Sequence, residues 1–321
     1  MMQLGFASAI LPELDLEQVF ASAVRHGYSC VEVMCWPPGK ATRRYAGITH
    51  IDVDTTDEVR VERIRQLQSS SGVTISSLGY YPNALSSDHE EATVAANHLR
   101  RLIELSAKLD IHRVTTFIGR DPKLSVEANF EKFDSVWPDL IRHAESHDVR
   151  VGIENCPMLF TDDEWPGGKN LAFSPAIWRR MFDRIPSDHF GLNYDPSHLV
   201  WMHMDEVAPL REFAGRLVHV HAKDVRVDPD RLRDVGILAH PLEYHEPKLP
   251  GLGQVDWGRF FATLGDIRYD GPVCVEVEDR YYERTAEGRQ ASLAQSATFL
   301  RQFIPAPASF STTPPASADP S

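Results

Sequence analysis

The sequence predicts an α/β fold, a single (β/α)₈ barrel, and three observations carry that prediction. Eight short apolar runs alternate with helical patterns along the chain, as βα repeats do. The first βα turn reads SAILPEL and lacks the glycine-rich signature of an open nucleotide-binding sheet. Four later strands each place polar residues on one face, with the last of them at the C-terminal end, where barrel enzymes build their active sites.

The strands are expected near 4–9, 29–35, 73–80, 112–118, 149–155, 190–195, 217–223 and 272–278. Helices fill the gaps. Asp15 with Gln18 forms a capping box, and Gly27 stops that helix. Leucines 99, 102, 105 and 109, with Val94, mark one helical face over 92–109. Ser174-Pro175 reads as an N-cap with proline at the first helical position. Asp205 and Asp256 read as N-caps, with Gly215 and Gly265 closing those helices. Residues 1–304 are expected to form the barrel. The Pro-, Ser- and Ala-rich stretch 305–321 is expected to be a disordered tail.

The chain has 321 residues and a net charge of −13 with no basic run, which argues against nucleic acid or an anionic membrane as partner. Cys30, Cys35, Cys156 and Cys274 form no CxxC pair and read as buried thiols in a reducing compartment. No segment approaches the ~18 apolar residues of a membrane span, and the N-terminus lacks a signal pattern. A cytoplasmic protein is the expectation.

Strands buried on both faces should be nearly all apolar. Here Gly152 and Glu154 alternate with Val151 and Ile153, and Asn193 and Asp195 alternate with Leu192 and Tyr194. His219, His221 and Lys223 alternate with Val218 and Val220, and Cys274, Glu276 and Glu278 alternate with Val273, Val275 and Val277. The polar set then faces the barrel interior. Glu154, Asp195, His221 and Glu276 therefore converge. Three carboxylates crowded there repel one another unless a cation neutralises them. Three oxygens and one nitrogen suit one divalent ion: Mn²⁺ or Mg²⁺ first, with Co²⁺ or Zn²⁺ as alternatives.

The segments GIEN (152–155), NYDPSH (193–198), HVHAKD (219–224), PGLGQVDW (250–257) and YDGPVCVEVED (269–279) resemble the xylose-isomerase-like barrel superfamily of sugar isomerases and epimerases. The resemblance implies that Glu154, Asp195, His221 and Glu276 are the metal ligands. It also implies that Glu154 and Glu276 are the acid/base pair, with His198 and Lys223 near the substrate. Val227 stands where ketose epimerases carry an arginine, with Arg226 adjacent. Trinuclear zinc nucleases of the superfamily need further histidines that the early strands here lack.

Other residues keep two readings. Glu32 either meets a substrate hydroxyl or is a buried carboxylate paired with an arginine. Trp36, Tyr80, Trp165 and Trp201 either stack on a sugar or pack the core. His219 lies deeper and reads as structural, and Asn155 as a support for its neighbours. The stretch 228–250 exceeds an ordinary βα loop and reads as a substrate lid.

The expected function is metal-dependent proton abstraction next to a carbonyl through a stabilised enediolate. Returning the proton makes an isomerase or epimerase of a small carbohydrate. Two alternatives stay open. One is a lyase or deglycosylase acting on a 3-keto-glycoside, with a partner subunit or as a homo-oligomer. The other is a non-catalytic, metal-stabilised carbohydrate-binding barrel.

Overall fold

The computed structural model describes residues 1–39, 46–159 and 167–304. The disordered-tail expectation for 305–321 and the stacking reading of Trp165 lie outside the described residues. Eight parallel strands close into a barrel: β1 (Gln3–Ala7), β2 (Cys30–Met34), β3 (Thr74–Gly79), β4 (Arg113–Thr116), β5 (Arg150–Glu154), β6 (Phe190–Tyr194), β7 (Leu217–Ala222) and β10 (Pro272–Val275). Each pairs with its sequence neighbour, and β10 pairs with both β7 and β1 to shut the ring. The expected strands are all present, within a few residues at each end. No described helix is long and apolar enough to cross a membrane.

Local signals explain most helices around the ring. In α1 (Leu16–His26) the Asp15–Gln18 capping box is complete, and Gly27 closes the helix at φ 73°. The other long helices of this half are α2 (Glu58–Ser71), α3 (His89–Lys108) and α4 (Val126–Ser146). In α3 the leucines pack inward, but Val94 is 49% exposed, because its position has rotated off the buried stripe. In α5 (Pro175–Arg184) proline starts the helix as expected, yet Ser174 makes no side-chain cap bond. A short α6 (Pro196–Trp201) follows β6, capped by Asp195.

Asp205 accepts from the Val207 and Ala208 amides ahead of α7 (Ala208–Glu212). Gly215 sits inside the following 3₁₀ turn and does not close α7. Likewise Gly265 lies within α9 (Trp257–Asp266), which Asp256 caps and Ile267 ends. α7 ends on Phe213, and α9 ends through Arg268, which takes the left-handed turn at φ 59° in place of a glycine.

The long insertion is folded. β8 (Asp224–Val227) and β9 (His245–Lys248) pair antiparallel, with α8 (Pro229–Val235) in the connection. Tyr244 and His245 at its base are buried against Trp201, while Ile237 and Leu238 at its tip are exposed. Beside the hairpin, Asp224 accepts from the amides of Gly251 and Val255 and from the Trp257 indole. Gly251 adopts φ +87°, and a Cβ on Gly253 would run into Asp224 and the Val225 carbonyl. That explains why an aspartate follows Lys223 and a PGLG segment follows the insertion. The C-terminal α10 (Arg280–Glu283) and α11 (Ala286–Leu300) complete the outer layer.

Candidate metal centre

Strand parity puts Glu154 at the end of β5 and His221 inside β7, while Asp195 and Glu276 follow β6 and β10 directly. One donor atom from each lies within 4.8 Å of the others. His221 Nδ1 is 3.6 Å from Glu154 Oε1 and 3.5 Å from Glu276 Oε2. These gaps are too long for good hydrogen bonds. They suit neighbouring donors on one ion, which lie roughly 3 Å or a little more apart.

The support around the donors is specific. Asn155 donates to the Asp195 carbonyl and accepts from the Asp195 amide, as its strand parity suggested, so the two strand ends are locked together. Asp195 Oδ1 accepts from the Ser197 amide. The other oxygen, Asp195 Oδ2, and His221 Nδ1 are buried without a hydrogen-bond partner. Lys223 Nζ lies 3.1 Å from that oxygen as an ion pair, without hydrogen-bond geometry. Orphaned buried donor and acceptor atoms are costly unless something outside the chain fills the gap between them. A divalent cation fits: both orphans belong to the four-donor cluster.

His221 Nε2 is taken by Glu32 Oε2 at 2.6 Å. Glu32 also accepts from the hydroxyls of Tyr81 and Thr115. Its buried-carboxylate reading agrees with the structure, but the substrate contact and the arginine partner need correction. Glu32 is fully buried, does not line the cavity, and is paired with a histidine rather than an arginine. Burial, the largest single influence, would raise its carboxyl, but the charge and hydrogen bond of His221, with His219 and the Thr115 hydroxyl, together lower it to about 2. Burial would likewise depress His221, and the Glu32 and Glu276 carboxylates reverse this, raising it well above the ordinary imidazole value. His219, one turn of the pleat deeper, bonds Ser76 and Asn193 and is structural.

Lys223 is buried at the cavity wall. Its Nζ donates to Glu276 Oε2 at 2.6 Å and lies 3.0 Å from Glu278 and 3.1 Å from His198 Nε2. Burial would raise Glu276, but the Lys223 and His221 charges hold it well below the usual carboxylate range. His198 accepts from the Trp201 indole, and Trp201 in turn stacks on His245 at 4.7 Å. Trp36, His198 and Lys223 all line the cavity, whose volume is about 270 Å³. Tyr80 does not line it and packs edge-on between Trp36 and His98. Arg226 does not reach it either. It is exposed on β8 and pairs with Glu246 at 2.9 Å, because the hairpin turns that position outward.

Two supporting residues escaped the sequence. Tyr81 and Thr115 orient Glu32, and no local pattern marks either. Glu278 reaches Lys223, and its position two residues beyond Glu276 on the same face was a usable signal. The four cysteines are free; Cys30, Cys35 and Cys274 are buried and Cys156 partly so.

Residues 20–303 match the family described as the xylose isomerase-like TIM barrel. The chain is 28% identical over 204 residues to the uncharacterized protein YfiH of Bacillus subtilis, covering 60% of this chain and 59% of that protein. It is 32% identical over 101 residues to inosose dehydratase of Clostridium perfringens, covering 31% and 34%. The chain thus matches between about a third and three fifths of the length of these curated relatives. Among solved structures, the IolI protein with a bound zinc atom superposes with a TM-score of 0.68 at 17% identity, covering 94% of this chain and 98% of that one. That likeness is one of fold.

Proposed function

The chain belongs to the xylose isomerase-like TIM-barrel family, and from that premise we propose that it is a divalent-metal-dependent enzyme that moves a proton next to a carbonyl of a small carbohydrate. One observation carries the reading. Glu154, Asp195, His221 and Glu276 converge at the cavity, and two of their buried atoms have no hydrogen-bond partner. These four would hold the ion, with Mn²⁺ favoured and Mg²⁺, Co²⁺ or Zn²⁺ as substitutes. The zinc atom of the IolI neighbour supports a divalent ion in this fold. When bound, such an ion polarises a carbonyl oxygen and offsets the negative charge that develops beside it.

The chain's own residues do the rest. Glu154 and Glu276 stand on β5 and after β10, with β6 and β7 between them, so they flank whatever lies at the centre. Glu276 is held ionised by Lys223 and His221, as a base must be. One glutamate takes the proton from the carbon next to the carbonyl. A proton delivered to the opposite face by the other glutamate, in its acid form, inverts that carbon, and the first glutamate releases the proton it took to solvent. Return of the proton to the neighbouring carbon exchanges aldose and ketose. His198, Lys223 and Trp36 orient the substrate, and Trp201 and Leu242 shield the cavity from water.

A second reading is favoured by the His198–Lys223 pair and by the likeness to inosose dehydratase. The glutamate takes the proton, the C–O bond one carbon further on breaks, and the departing oxygen receives a proton from that pair. Incubating a panel of keto-sugars and inososes with the protein and Mn²⁺ in D₂O tests both readings. Deuterium should enter next to the carbonyl, and NMR of the product separates epimer, isomer and dehydrated product. Absence of exchange from every carbonyl compound would overturn the proposal.

A further inference from the structure

The cavity above the donors has two chemically different halves. Glu154, His198, His221, Lys223, Glu276 and Glu278 form one, supplied by the strand ends and the segments that follow them from β5 round to β10. The other comes from the ends of β1, β2 and β4 and the segment after β5. There Met34, Trp36, Phe117, Met158 and Leu159 line the wall, and the small side chains of Ala7 and Ala9 leave room before it. Met34, Phe117 and Met158 pack with Ala7 and Tyr81 as a cluster separate from the main core. Tyr81 stands edge-on to Phe117 at 4.9 Å, and its hydroxyl donates to Glu32, below the cavity.

A bare aldose, ketose or cyclitol carries a hydroxyl on nearly every carbon. Pressed against thioethers and a phenyl ring, those hydroxyls lose hydrogen bonds to water and gain none. The same wall gains by covering an apolar group, and methionine sulfurs sit well against aromatic edges. Resting on the carbohydrate reading above, we propose that this wall is a subsite for an apolar substituent, aromatic or branched aliphatic, on a carbohydrate whose oxygenated carbons face the donors. The substrate is then a keto-glycoside or a substituted inosose, which keeps the carbonyl that the reaction needs, rather than a free sugar.

The test compares matched methyl and phenyl glycosides of glucose, galactose, mannose and xylose, by calorimetry and tryptophan fluorescence, with the Mn²⁺-supplemented protein. For at least one sugar the phenyl glycoside should bind about tenfold tighter than its methyl partner, which corresponds to about 1.4 kcal/mol. Phe117→Ser and Met34→Thr, two independent variants, should each shrink that ratio while leaving methyl-glycoside affinity and Mn²⁺ content unchanged. Equal affinity within every pair, no phenyl glycoside bound at millimolar concentration, or a ratio intact in both folded variants overturns the proposal. Proton exchange without a phenyl preference would refute the subsite and leave the catalytic reading standing. A phenyl preference without proton exchange would do the reverse.

Discussion

Glu32 on β2 and His221 on β7 are 189 residues apart in sequence and joined across the barrel by a 2.6 Å hydrogen bond, both fully shielded from solvent. The bond fixes Nε2 of the imidazole as donor and leaves Nδ1 facing the other three donors. A carboxylate behind a ligating histidine sets its tautomer, its ring orientation and its basicity.

Glu32→Gln keeps the shape and removes the charge. Metal affinity should fall by about 10- to 100-fold, the usual effect of losing such a partner. Competition with a chelator measures this. An unchanged dissociation constant would show that the bond is only a packing feature.

The purified protein should carry about one divalent ion per chain, and Asp195→Ala or His221→Ala should each lose most of it. Chelation should also lower the melting temperature. An ion present at 100 times its dissociation constant stabilises by about 2.7 kcal/mol. Elemental analysis with calorimetry checks both, and full occupancy in both variants would sink the donor assignment.

Glu154→Gln and Glu276→Gln preserve an oxygen donor but remove the base. With saturating metal, turnover should drop by at least ~10²-fold, the scale of a lost general base. A variant that retains near-normal turnover would show that its glutamate is not the proton carrier.

His245 supplies a pH dependence away from the donors. Burial lowers its pKa from 6.5 to about 4, against the opposing pull of the Pro241 carbonyl. The folded state therefore resists protonation that the unfolded chain accepts. Its contribution is full above pH 6.5 and is lost as pH falls towards about 4. A depression of that size is worth about 3 kcal/mol. His245→Phe keeps the stack on Trp201 but cannot titrate. Denaturant melts at pH 7 and pH 5 should show the parent losing more stability than the variant. Parallel losses would place the acid sensitivity elsewhere.

The barrel and its four donors were legible in the sequence because both depend on local periods. Side chains alternate along a strand with a period of two, so the faces of Glu154, Asp195, His221 and Glu276 follow from counting. Their common position at strand ends puts them at one rim of any closed parallel barrel. The same counting turned Asn155 to the other face as a support for its neighbours and placed His219 below His221, while the hydrogen bonds of Asn155 to Asp195 are seen only in the structure. Closure of the ring decided the rest. Which side chain of β2 meets which of β7 depends on stagger across the barrel, so Glu32 reached a histidine and not a substrate or an arginine. The 228–250 insertion folded as a hairpin, and the direction of its strands turned Arg226 to solvent while pressing His245 onto Trp201. Met34, Phe117 and Met158 come from three separate βα units and look like ordinary core in sequence. Only their meeting at one rim makes a wall opposite the charges, since contact between distant strands is set by tertiary packing and not by any local period.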